Sequence, residues 1–183
     1  MEDKMRIVYA DPPYIGCANK YPEKTEVDHV ELIRELEGYD GWALSASSPS
    51  LKILIPIINE VTTDYRIGAW VKPFCVFKPN VNPAYAWEPV IYKPARGYTR
   101  HDDTERDWFS HPITLKKNLV GAKPYEFCFW IFKLLGARSC DIFTDLYPGT
   151  GIVTRAWDNW KISHTFDEYL ELPKEKIEQG KIL

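Results

Sequence analysis

Met5-Arg6-Ile7-Val8-Tyr9-Ala10-Asp11-Pro12-Pro13-Tyr14 is the stretch on which the fold turns. Its first six residues make an apolar run of the length of a buried strand, and the run stops at an acid, two prolines and an aromatic. Open α/β sheets bind their ligands outside the carboxyl ends of the strands, which is where Asp11 would sit. Pro12 and Pro13 fix φ and bring no N–H, so the loop is stiff and its carbonyls have few local donors. Tyr14 offers a flat face for stacking. The group suits a planar substrate bearing an NH₂. A surface turn is the competing reading, since Asp and Pro both favour turns.

Further along, Val27, Val30, Ile33 and Leu36 recur at helical spacing, with Gly38 as a stop. Trp42 to Ala46 reads as a short strand, and Leu51 to Val61 as an apolar helix with an awkward Pro56. Tyr65 to Val71 and Trp87 to Tyr92 read as strands. Residues 93–122 lose periodicity, which predicts one long functional loop. Pro124 to Leu135 reads as a helix with Pro in its first turn. Asp141 to Leu146 reads as a strand, Thr150 to Trp157 as the start of a helix, and Lys161 to Phe166 as a further strand. The tail from Pro173 to Gln179 is polar and weakly helical. Strands and helices alternate without repeats or a linker. That predicts one domain over 1–183, an α/β fold with a mostly parallel sheet and helices on both faces.

The chain has 183 residues, 45% of them hydrophobic and 14% aromatic, which argues for a folded globule rather than disorder. A net charge of -3 argues against a grip on nucleic acid through bulk positive charge, so any such contact needs a local patch. Cys17, Cys75, Cys128 and Cys140 form no C-x-x-C pair and no metal-ligand spacing with a histidine, so no metal site is expected and the thiols read as free, in a reducing compartment. There is no apolar signal segment and no run long enough to span a bilayer, which predicts a cytoplasmic protein, or one of the host cytoplasm if phage-encoded, with no membrane partner.

Asp145-Leu146-Tyr147-Pro148-Gly149-Thr150-Gly151 follows the predicted strand and opens a helix. Its glycines let a ligand approach the backbone, and a helix N-terminus offers free N–H groups. An ordinary tight turn is the bland alternative. Lys123-Pro124 opens the helix just upstream.

Together the D-P-P-Y loop, the D-L-Y-P-G-T-G turn and Lys123-Pro124 resemble the amino-group DNA methyltransferases, which modify adenine N6 or cytosine N4. With D-P-P-Y ahead of the glycine turn, the order resembles the permuted branch of that family. Its members related to the mRNA adenosine methyltransferases usually carry D-P-P-W, so Tyr14 tilts toward the DNA enzymes. Trp70-Val71-Lys72-Pro73 looks like the family's W-x-K-P segment, and Trp87-Glu88-Pro89-Val90-Ile91-Tyr92 resembles its later strand near the target base. The resemblance runs from about residue 5 to residue 168.

The resemblance implies a Rossmann-like S-adenosylmethionine-dependent methyltransferase fold. It implies catalysis by Asp11, Pro12, Pro13 and Tyr14. Asp11, Lys123, Asp145, Tyr147, Pro148, Gly149, Thr150 and Gly151 would hold S-adenosyl-L-methionine, and Asp167, next to Glu168, would be the acid for its ribose. The Asp11 carboxylate and Pro12 carbonyl would accept hydrogen bonds from the base's NH₂, and these strengthen as positive charge develops on the nitrogen. Tyr14 would stack on a base flipped from its duplex.

DNA is the expected partner. Between Lys93 and Lys123 seven basic residues meet four acids, with Tyr98, Trp108 and Phe109 interleaved. Arg96, Arg100, Arg106, Lys116 and Lys117, together with Lys72 and Tyr14, are the expected nucleic-acid contacts. Residues 93–122 are short for a target-recognition segment, which leaves a homodimer or a partner subunit open. Adenine N6 of DNA is the favoured acceptor. RNA adenine, DNA cytosine N4 and a non-catalytic nucleic-acid-binding subunit of the same fold are the alternatives.

Overall fold

The structure, a computed structural model, describes residues 3–21, 24–74, 79–100, 104–113 and 123–171, with side chains described to residue 164. Strand β1 (Arg6–Ala10) is buried from Ile7 onward. Helix α1 (His29–Glu37) starts at Asp28, whose carboxylate accepts from the Val30 and Glu31 amides, an N-cap that satisfies two otherwise orphaned donors. It buries Leu32, Ile33 and Leu36 and ends at Gly38. Strand β2 (Gly41–Ser45) is buried throughout. A single 3₁₀ turn (Ser48–Ser50) leads into α2 (Leu51–Val61). Pro56 lies on the exposed side of α2, where water can serve the carbonyl it leaves free, so the helix continues through it.

Strand β3 (Arg66–Val71) and strand β4 (Trp87–Lys93) follow, then a three-residue strand β5 (Trp108–Ser110). Helix α3 (Tyr125–Leu134), strand β6 (Ile142–Asp145) and the long helix α4 (Ile152–Glu171) complete the fold. The six strands lie in the order β5-β3-β4-β2-β1-β6. β1 runs parallel to both β2 and β6, and β3 parallel to β5, while β4 runs antiparallel to β2 and β3. Five strands therefore share one direction and β4 alone is reversed.

Alternation along β1 divides the core. Ile7 and Tyr9 pack with Trp70, Phe127, Phe132, Trp157 and Trp160 on the α3–α4 face. Val8 and Ala10 pack with Leu32, Ile33, Leu36, Leu54 and Ile58 on the α1–α2 face. A sheet covered on both sides explains why its central strands read as continuous apolar runs.

Two expectations fail. Residues 93–122 are not wholly loop, because Trp108–Ser110 pairs with Ala69–Val71 as β5. Three residues carry no periodicity; the strand is fixed by tertiary contacts, with Phe109 stacked on Trp130 at 5.8 Å and the Trp70 indole donating to the His111 carbonyl. Nor is Lys161–Phe166 a strand, for α4 runs through it. The spacing Val153, Ala156, Trp157, Trp160 is helical, and Trp160 meets Phe132 and Phe129 edge-on at 5.5 Å each.

Candidate active site at the carboxyl ends of the strands

Tyr9 of β1 is registered against Asp145 of β6, and the Leu146 amide donates to the Tyr9 carbonyl at 3.0 Å. The two loops singled out in the sequence therefore leave neighbouring parallel strands side by side, at the end where such sheets bind ligands. In the second loop Asp145 accepts from the Tyr147 amide (3.3 Å) and the Thr154 hydroxyl (3.4 Å). Gly149 and Gly151 take positive φ values of 43° and 69°, a region costly for other residues. Pro148, Gly149 and Thr150 are exposed, so the backbone of this turn is open to a ligand. Burial raises the Asp145 carboxyl, its own hydrogen bonds lower it, and Asp11 nearby raises it again.

The first loop meets a compact charge network. Lys123, the residue before Pro124 at the start of α3, has only 4% of its side chain exposed. Its ammonium lies 3.0 Å from Asp11 Oδ1, 3.3 Å from Glu88 Oε2 and 3.3 Å from the Tyr14 hydroxyl. The rings of Tyr14, Trp70 and Phe127 surround it at 5.7, 5.6 and 5.7 Å. Lys72, at the end of β3, pairs with the other oxygen of Glu88. The Tyr14 hydroxyl donates to Glu88 Oε2 at 3.0 Å. Beneath the network the Tyr9 hydroxyl and Ser45 Oγ are 2.7 Å apart. Two carboxylates and two ammonium groups thus balance in a nearly dry space, the arrangement that makes burial of charge tolerable.

The two acids titrate in opposite directions. Burial raises Asp11, and Lys123 only partly offsets it. Burial pushes Glu88 up as well, but Lys123 and Lys72 together pull it down to about 2. Burial disfavours the charged form of Lys123, yet Asp11, Tyr14 and Glu88 outweigh this and hold it protonated well above the usual range. Burial also raises the Tyr14 hydroxyl, so it stays a donor.

Asp11, Tyr14 and Lys123 are thus brought together, next to Asp145 and its turn, with Pro12 buried under the loop. Lys123 points its charge at Asp11 and Glu88. Lys72 joins the same cluster through Glu88 rather than facing outward. Glu88 is not among the residues the sequence singles out; its one sign there is a lone acid in the largely apolar strand Trp87–Lys93.

Other expected residues lie elsewhere. Arg96 makes a two-pronged pair with Asp141, at 2.6 Å on each oxygen, and donates to the Asp3 carbonyl, at the amino ends of β1 and β6. Arg100 follows Tyr98, whose hydroxyl donates to the Lys133 and Leu134 carbonyls at the far end of α3. Arg106 lies over Trp108 at the start of β5. Neither Arg96 nor Arg106 is brought to Asp11. Lys116 and Lys117 lie outside the described residues. Asp167 is carried on α4, not after a strand. Two surface hollows, one of 480 Å³ lined by Ile15, Gly16 and Val30 and one of 330 Å³ lined by Tyr85 and Trp87, include no residue of the network in their walls. Among the described residues no His, Cys, Asp and Glu cluster could hold a metal, and no helix is long and apolar enough to cross a membrane.

No family model matches the chain, and no curated protein matches it. Solved structures do. The crystal structure of the M1.HpyAVI-SAM complex superposes with a TM-score of 0.53 at 17% identity, over 86% of this chain and 79% of that one. A second crystal structure of M1.HpyAVI gives 0.57 at 15% identity, over 86% and 78%. The chain shares their fold, a Rossmann-like α/β arrangement of a mostly parallel sheet covered by helices.

Proposed function

We propose that this chain, as a single domain over 1–183, is an S-adenosylmethionine-dependent methyltransferase acting on an exocyclic amine of DNA, adenine N6. The observation that carries the reading is the pairing of Tyr9 with Asp145, which sets the D-P-P-Y loop and the glycine turn side by side at one end of the sheet. The likeness to a fold crystallised as a SAM complex supports it. So does the permuted order of the two motifs, by the resemblance stated above.

The residues present fit the cofactor. Asp145 and the open backbone of Tyr147, Pro148, Gly149, Thr150 and Gly151 would hold it. When bound, it supplies a methyl group made electrophilic by the adjoining sulfonium. This chain's part is to bind and orient the acceptor. An exocyclic amine is a weak nucleophile because its lone pair is delocalised into the ring. The Asp11 carboxylate and the Pro12 carbonyl accept its two N–H bonds, and a charged acceptor gives the stronger bond as positive charge grows on nitrogen. That role requires ionised Asp11. Tyr14, fixed through its hydroxyl, limits the approach of the base to one face. Phe74, Tyr85 and Trp87, exposed where β3 ends and β4 begins, offer stacking faces for neighbouring bases.

Nucleoside mass spectrometry of DNA and RNA from a methylation-deficient host expressing the protein tests this reading. N6-methyladenine in DNA is expected. N4-methylcytosine or methylated RNA would replace the acceptor, and absence of any new methylated nucleoside would refute the proposal.

A further inference from the structure

We propose that Glu88 is a positioning residue for this reaction: it competes with Asp11 for the Lys123 ammonium, and so leaves Asp11 able to exchange Lys123 for the N–H of the acceptor. The inference rests on the methyltransferase reading and assigns Glu88 and Lys72 a part in it.

An ammonium has three donors, and those of Lys123 meet three oxygens, of Asp11, Glu88 and Tyr14, within 3.0–3.3 Å. Were Asp11 the sole anion beside it, its release would strand a buried ammonium without a counter-ion, which is strongly unfavourable. Glu88 and the Tyr14 hydroxyl remain when Asp11 lets go. Glu88 can serve because Lys72 satisfies its second oxygen, so one carboxylate supports two ammonium groups. The same Glu88 oxygen receives the Tyr14 hydroxyl, tying the ring of Tyr14 to the ammonium. The register Trp70↔Glu88 between β3 and β4 sets Lys72 and Glu88 within reach of each other. The groups facing Asp11 are Lys123 from the start of α3, Cys128 within α3, Glu88 from β4, Lys72 just past β3, Tyr14 from its own loop, Tyr9 from β1, Tyr21, and Asp145 from β6.

Glu88→Gln keeps a carbonyl for the Tyr14 hydroxyl and removes the charge. Lys123 then closes on Asp11. The KM for an adenine-containing DNA duplex should rise about tenfold, the loss of one charged hydrogen-bond partner, while the affinity for S-adenosylmethionine stays within about twofold. Lys72→Met acts the other way, drawing Lys123 toward Glu88. Carbon-13 NMR titration of the Asp11 carboxyl reads the competition without any turnover. Its midpoint should fall in Glu88→Gln and rise in Lys72→Met. An unmoved midpoint in both variants, or shifts of the reverse sign, overturns the inference. If the wild-type protein transfers no methyl group, the methyltransferase reading fails, and the titration still decides whether Glu88 competes for Lys123.

Discussion

Replacing Lys123 by Met removes the cation from between two carboxylates and leaves its apolar stem in place. Asp11 and Glu88 expose only 22% and 20% of their side chains. Of the ammonium groups in the network, Lys72 alone then remains to neutralise them. Removing one member of a buried pair costs roughly 3–5 kcal/mol, because the partner is left charged and dry. Lys72 still holds Glu88, so the lower end, about 3 kcal/mol, applies near neutral pH. The loss should depend on pH. Asp11 is already raised by burial and loses the partner that lowered it most. A carboxyl with a raised folded pKa adds stability below its unfolded pKa and loses that contribution as pH rises through the folded one. The deficit of the variant should therefore shrink toward acid, where Asp11 takes up a proton, and be full at pH 8. Urea unfolding of both proteins at pH 5 and pH 8 measures it. A loss below about 1 kcal/mol at pH 8, or one that does not shrink at pH 5, would refute the reasoning.

Arg96→Ala breaks the pair with Asp141, whose side chain is fully buried, and should destabilise the fold by about 3 kcal/mol in urea unfolding. It should leave DNA affinity unchanged in fluorescence anisotropy, and a drop there would return Arg96 to the nucleic-acid face. Trp87→Ala removes a stacking face that is 39% exposed, and should weaken binding of a single-stranded oligonucleotide by about 1–3 kcal/mol in the same assay. The rate of methyl transfer should fall along one acid limb as Asp11 is protonated, at a pH above the ordinary 3.8 because burial raises it; Glu88, at about 2, should not contribute. A pH–rate profile that stays flat down to 3.8 would contradict this.

The apolar run up to Ala10 and the turn after Asp145 were legible because each pairs a strand with a local chemical interruption. Their adjacency was implied only by the alternation of strands and helices, and the parallel β1–β6 pairing supplied it. The direction of β4 was not legible. Its sequence reads as a strand either way, yet its reversal carries the chain to the amino ends of the other strands. Arg96 and Arg106 therefore lie away from Asp11, although the composition of their stretch suits a nucleic-acid loop. Glu88 was hidden for a related reason: a lone acid in an apolar strand acquires meaning only once Lys72 and Lys123 converge on it from β3 and α3. The continuation of α4 through residues 161–166 rests on the packing of Trp157 and Trp160 against Phe132, which a short apolar run alone does not announce.

The central claim is that Asp11 activates an amine of DNA for methylation. Transfer of tritiated methyl from S-adenosylmethionine to unmethylated duplex DNA, by the wild-type protein and by Asp11→Ala, tests it most directly. The wild type should incorporate label, and the variant should lose at least about a hundredfold. Incorporation by Asp11→Ala at the wild-type rate would contradict it.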